Sequence, residues 1–94
     1  MFTSATRISH DPLVIMEQTF SDPEMSILHS FDDQPAVRVI NKQTDRVMFE
    51  SWFTNGLLDR TGKPAKIDYV NGVEMFFNEG QQTQIIYTKE SVNV

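Results

Sequence analysis

WFTNGLLDRTGKPAKIDYVNGVEMFFNEG, residues 52–80, states one short phrase twice: an aromatic pair closed by a glycine, Trp52-Phe53-x-x-Gly56 and then Phe76-Phe77-x-x-Gly80. Between them stands Pro64-Ala65, which has its own double at Pro35-Ala36. Laying residues 35–56 over residues 64–80 superposes both landmarks, with a turn five residues longer in the first copy. Upstream of the two Pro-Ala steps lies a further match, Leu28-His29 and Leu58-Asp59-Arg60. Each copy therefore reads as loop, strand, turn and strand. One hairpin is marginal in water, whereas hairpins set side by side share an apolar face. The doubling predicts a sheet.

From Pro35 onward the residues favour strands. Ala36 to Ile40 is rich in β-branched residues, and Arg46 to Phe53 alternates Val47, Phe49, Ser51 and Phe53 against Met48, Glu50 and Trp52. Lys66 to Val70 and Val73 to Phe77 flank Asn71-Gly72, which reads as a type I′ hairpin turn because both positions tolerate positive φ. Thr83 to Thr88 supplies a fifth strand.

The first third reads differently. Asp11-Pro12 and Asp22-Pro23 each resemble a helix start, a capping side chain before the rigid ring. Ser21-x-x-Glu24 has the form of a capping box, and Met25, Ile27, Leu28 and Phe31 give an apolar stripe, predicting a short helix over 23–30. The run Leu13-Val14-Ile15-Met16 fits a buried strand as well as a helical turn, with the weight on helix. The expected architecture is a single α+β domain over 1–94. An acidic helical part (1–34) packs on one face of an antiparallel meander of four to five strands (35–88), and a short tail follows (89–94). The expected apolar face is Val37, Val39, Phe49, Ile67, Tyr69 and Phe77 or their immediate neighbours.

Composition narrows the functional classes. Ninety-four residues hold one core. There is no cysteine, which removes disulfides and thiolate metal sites, and no apolar run approaches the length of a spanning helix. No membrane association and a cytoplasmic location are expected. The net charge is −5, with a pI near 4.8, and it is unevenly spread. Six acids face only Arg7 as far as Val37, six bases face three acids from Arg38 to Lys66, and four acids face Lys89 thereafter. An acidic head precedes a basic middle, and the overall balance argues against a chain that binds by neutralising phosphates.

The phrase Trp52-x-x-Asn55-Gly56-x-Leu58-x-Arg60-x-x-x-Pro64-Ala65, followed by strand, turn and a second aromatic pair, resembles the MORN-variant type of β-hairpin repeat over about residues 28–80. Asp59 and Lys63 depart from the usual His and Gly of that pattern, and the first copy has one extra residue before Pro35. The resemblance implies a meandering antiparallel sheet and an interaction role, with no catalytic residues to carry over.

His10 and His29 are the only imidazoles; His10 reads as a solvent-facing residue and His29 as a helix C-terminal or repeat-loop residue. Asp32-Asp33 reads as a solvated loop; as half of a carboxylate pair with a histidine it would instead serve a small cation-dependent hydrolase. Trp52, Phe53, Phe76 and Phe77 read as core rings before an exposed platform, and Arg38, Arg46, Arg60 and Lys66 as the outer face of a sheet before a nucleic-acid stripe. The expectation that follows is a non-enzymatic interaction protein with no cofactor and no metal. It occupies a larger protein or nucleoprotein of basic surface through Asp22, Glu24, Asp32, Asp33 and Trp52. In gross character the chain is similar to phage-encoded inhibitors of host nucleases, anti-CRISPR proteins among them, acting in the bacterial cytoplasm. The alternatives are the hydrolase and direct nucleic-acid binding through the basic middle. The last strand also leaves an edge open to a second copy, so a homodimer fits the sequence.

Overall fold

The computed structural model describes residues 4–88. Nine strands follow in order: β1 (Ala5–His10), β2 (Val14–Phe20), β3 (Val37–Asn41), β4 (Val47–Ser51), β5 (Phe53–Thr54), β6 (Leu57–Leu58), β7 (Lys66–Asp68), β8 (Val73–Asn78) and β9 (Gln81–Tyr87). Seven form one antiparallel sheet in the order β1-β2-β3-β4-β7-β8-β9, and β5-β6 make a two-stranded ribbon. The sheet is a meander without crossovers. The expected tail, 89–94, lies outside the described residues.

Among the described residues there is no helix, so the α+β expectation is corrected to all-β. Both Asp-Pro steps serve turns instead. Asp11 N–H donates to the Val14 carbonyl at 2.9 Å, leaving Pro12-Leu13 as a two-residue connection in which the ring fixes φ. The ambiguous run that follows is β2, paired on both sides, with β1 from His10↔Ile15 to Ala5↔Phe20 and with β3 from Val14↔Asn41 to Gln18↔Val37. Two flanking ladders settle what four apolar residues leave open.

At the second step the capping box does not form. The Asp22 carboxylate, rather than Ser21, accepts the N–H groups of Ser26 and Ile27 at 3.0 and 2.8 Å and the Ser26 hydroxyl. Met25 turns left-handed at φ 58°, and Ser21 N–H donates to the Ile27 carbonyl at 2.9 Å, closing the loop. Eight residues give a helix few hydrogen bonds after its costly first turn, and the Phe20↔Leu28 bridge offers the segment a better use of its ends. The expected apolar stripe is not a core face: Met25 and Ile27 are exposed.

The two long hairpins end in the same tip. Asn41 Oδ1 accepts the N–H of Gln43 and Thr44, and Asp45 N–H returns to the Asn41 carbonyl. Asp68 Oδ1 accepts Val70 and Asn71, and Gly72 N–H returns to the Asp68 carbonyl. Asp45 and Gly72 hold matching left-handed φ of 61° and 68°. Asn71-Gly72 therefore ends a four-residue loop and is not a two-residue I′ turn. Of the five extra residues of the first copy, four lie in its longer strands and one in its tip, and the register shift between Val39 and Ile40 leaves Met48 as a bulge.

Register also sorts the faces. Glu17, Arg38, Glu50, Ile67 and Glu74 lie across one face, while Met16, Val39, Phe49 and Val73 lie across the other with Asp68. Ile67 thus stands with the charges, because its partner is Glu50. On that face Arg38 pairs with Glu50 at 3.1 Å and Glu17 at 3.4 Å, and the Tyr69 hydroxyl donates to Glu50 at 2.5 Å. The best-buried side chains are at one end of the sheet: Phe20, Ala36, Ser51, Trp52 and Ala65. Ala36 N–H bonds the Ser51 carbonyl and Trp52 N–H bonds the Ala65 carbonyl, so the indole stands between two alanines. Both Pro-Ala steps thus place a small, buried alanine immediately before a strand flanking Trp52.

Candidate functional site

The same end of the sheet carries the long connections, and their backbone hydrogen bonds repeat. His29 N–H donates to the Thr19 carbonyl at 3.0 Å and Asp59 N–H to the Trp52 carbonyl at 3.1 Å. Each returning segment then grips the next tight turn. Gly56 N–H bonds the Leu28 carbonyl and Gly80 N–H bonds the Leu58 carbonyl, both at 2.8 Å. Ser30 N–H reaches the Phe53 carbonyl and Arg60 N–H the Phe77 carbonyl. A side chain completes each clasp: His29 Nδ1 accepts Asn55 N–H and Asp59 Oδ1 accepts Glu79 N–H, both at 3.0 Å. The gripped turns, Asn55-Gly56 and Glu79-Gly80, have φ of 50° and 84° against 49° and 85°. Positive φ at both positions is what a type I′ turn demands.

The connections bring together groups from both charge blocks. Trp52, only 4% exposed, donates its Nε1–H to the Asp33 carbonyl at 3.0 Å. Arg60 lies over the indole, its guanidinium carbon 3.7 Å from the ring centre. It holds both carboxylate oxygens of Asp33, at 2.9 and 3.0 Å, and donates to the Pro64 carbonyl at 3.0 Å. Lys63 stands 3.6 Å from the same carboxylate. The Arg60 hydrogen bonds hold the Asp33 carboxyl below its ordinary range, aided by both cations. The Ser26 hydroxyl does the same for Asp22, with the backbone of Ile27 and Ser26 adding to it.

Among the residues singled out in the sequence, Glu24, Asp32 and Asp33 are exposed, Asp22 is half-buried in its own loop, and Trp52 is buried under Arg60. The indole offers a partner no ring face. His29 packs on Phe31 with ring centroids 4.7 Å apart and spends Nδ1 on Asn55; His10 ends β1 at the opposite end of the sheet from Asp32-Asp33. Among the described residues no group of three or more His, Asp or Glu is placed to hold a metal ion. The four bases of the middle do not form a stripe. Arg38 is on the charged face, Lys66 pairs with Ser51 and Met75 on the other, Arg46 is in a hairpin tip and Arg60 is in the clasp.

What the meander collects at this end is negative charge. Residues 21–36, 52–65 and 79–80 hold six carboxylates (Asp22, Glu24, Asp32, Asp33, Asp59, Glu79) against Arg60 and Lys63. Both of those cations already face Asp33. The hairpin tips at the other end, residues 11–13, 42–46 and 69–72, hold two acids and two bases. Asp59 and Glu79 join the acidic set from far along the chain; the signal for Asp59 is the match of Leu58-Asp59 to Leu28-His29, and the signal for Glu79 is the match of Phe76-Phe77-x-x-Gly80 to Trp52-Phe53-x-x-Gly56. No helix of the described residues is long and apolar enough to cross a membrane. No family model, no curated protein and no solved structure matches this chain.

Proposed function

We propose that the chain is a non-enzymatic interaction protein that presents the loop end of its sheet to a basic surface of a larger partner. The observation that carries this reading is the sorting of charge by the fold. Connections distant in sequence converge into one end with six carboxylates, whose two cations are spent on a single one of them. Glu24, Asp32 and Glu79 are exposed there and point the reading at their own side chains rather than at Trp52. An acidic end on a small rigid body raises the rate of encounter with a basic groove and sets its orientation. A nucleic-acid channel, such as that of a host nuclease or CRISPR complex targeted by phage-encoded inhibitors, has the complementary chemistry. The hairpin geometry and the clasped turns are compatible with a MORN-variant repeat used as a binding scaffold.

The test is capture by the immobilised chain of basic nucleoproteins from a bacterial lysate across a salt series. Capture that falls with salt and disappears with combined Glu24→Lys, Asp32→Lys and Glu79→Lys reversal supports the reading. Capture indifferent to both defeats it.

A further inference from the structure

We infer that β9 is a dimerisation edge, and that its occupant is β9 of a second copy of this chain, joined antiparallel across a two-fold axis at Ile86. The contact uses neither the acidic loops nor their partner.

The two outer strands of the sheet differ. β1 carries Arg7 in mid-strand, donating to Gln18 at 3.0 and 2.9 Å and lying 5.3 Å from the Phe20 ring centre, and a charged mid-strand residue is a common guard against edge pairing. β9 has no charge and no proline, and every residue in it is exposed. Ile85 is 41% exposed, Ile86 36% and Tyr87 70%.

Register decides what this edge accepts. Phe76 pairs with Gln84 and Phe77 with Gln82, which leaves Thr83 as a bulge and makes Gln84 onward the regular part of the edge. Thr88 N–H points into the sheet, donating to the Gly72 carbonyl at 2.7 Å. Strand alternation then turns the N–H and carbonyl of Tyr87 and Ile85 outward. A two-fold axis at Ile86 sets Ile85 opposite Tyr87 of the other copy, and Tyr87 opposite its Ile85. Both outward pairs exchange N–H and carbonyl groups, and Ile86 meets Ile86 at the close, non-hydrogen-bonded spacing of about 4.5 Å between Cα atoms. Gln84 falls opposite Thr88, and no like charges meet. Ile85 and Tyr87 share the face of Met75 and Val73, so the apolar face runs on into the second sheet. The contact is isologous: it closes both β9 edges at once and leaves the guarded β1 strands outermost.

The absence of cysteine makes the test direct. Sedimentation equilibrium of the full chain gives twice the 10.8 kDa chain mass, and Ile86→Lys returns it to one chain mass while Ile8→Lys on β1 leaves the dimer intact. Circular dichroism of Ile86→Lys reports whether it folds. Independently, Ile86→Cys sits at the axis and oxidises to a cross-linked dimer, whereas Ile8→Cys does not. A monomeric wild type, a dimer unaffected by Ile86→Lys, growth into open polymers through β1 and β9, or cross-linking no faster at position 86 than at position 8 would each overturn the assignment.

Discussion

The connection that returns through Leu28 and the one that returns through Leu58 share a backbone but not a set of side chains. Both grip the next tight turn with N–H groups at the same places: the glycine bonds are 2.8 Å in each, while the bond to the aromatic residue's carbonyl is 2.8 Å from Ser30 and 3.3 Å from Arg60. In one the side-chain acceptor is an imidazole nitrogen, in the other a carboxylate oxygen. The clasp therefore needs an acceptor at that place and is indifferent to which residue supplies it. The rings differ as well. Trp52 is roofed by Arg60 and tied to the Asp33 carbonyl, while its counterpart Phe76 is half-buried, with no stacked cation among the described residues. One backbone device is thus used twice, and only the central use is reinforced by a stacked cation.

The largest effect expected from that asymmetry is at the rings. Trp52→Ala removes a buried indole between two alanines and costs about 3–5 kcal/mol, enough to unfold a chain with so small a core. Phe76→Ala costs about half as much, in line with its partial burial. Urea unfolding of the two variants reads the ratio; equal losses would mean that the Arg60 roof adds nothing to burial.

The glycines sharpen the symmetry. Gly56 and Gly80 have φ of 84° and 85°, and the nearest atoms to an added Cβ are Ile27 Cγ2 at 3.9 Å and Leu57 Cδ2 at 3.4 Å, both ordinary contacts. Alanine at either position costs about 1–2 kcal/mol from left-handed strain alone, the same for both within measurement. A much larger loss at one would show that the turns are not equivalent.

Smaller still is the exchange of acceptors. His29→Ala and Asp59→Ala each leave an N–H without its side-chain partner, a loss of about 1 kcal/mol. The paired exchange His29→Asp with Asp59→His restores most of it, since both residues offer an acceptor. Failure of the exchange variant to recover stability in thermal unfolding would show that the clasp reads identity and not only acceptance.

The weakest lever is pH, and it separates the regions by sign. Asp33 and Asp22 are held below the ordinary carboxylate range, so their contribution is present above about pH 3.8 and is lost as pH falls through their folded values. Asp68 moves the same way: burial pushes it up, but hydrogen bonds from Asn71 and Val70 outweigh that. Tyr69 moves oppositely. Burial first, and then the bond to Glu50, push its hydroxyl up to about 12 from 10.0, so its contribution is full below pH 10 and is lost toward 12. Tyr69→Phe should remove the alkaline slope of stability and leave the acid slope untouched, as read from unfolding midpoints across pH.

The doubled phrase made the later strands legible because Pro-Ala and the aromatic pairs mark fixed places on the sheet end. Register was not legible. Nothing local says that Ile67 stands beside Glu50, or that Met48 bulges to absorb an odd residue. The first hairpin was hidden for another reason. Asp-Pro suits a turn as well as a helix start, and Ser21-x-x-Glu24 satisfies a helical rule that the closure from Phe20 to Leu28 overrides. Charge misled in the same way. Blocks along the chain suggested an acidic head and a basic middle, yet a meander folds them onto one another, so Arg60 sits on Asp33.

The central claim is that the two connections are one clasp used twice, and amide hydrogen exchange at Gly56 and Gly80 tests it most directly. Loop-tip glycine amides exchange at once when open to water, whereas here both are bonded, to the Leu28 and Leu58 carbonyls. Slow exchange at both glycines, lost together on unfolding, is the predicted result. Rapid exchange at either one, or helical amide contacts across residues 23–30, would contradict it.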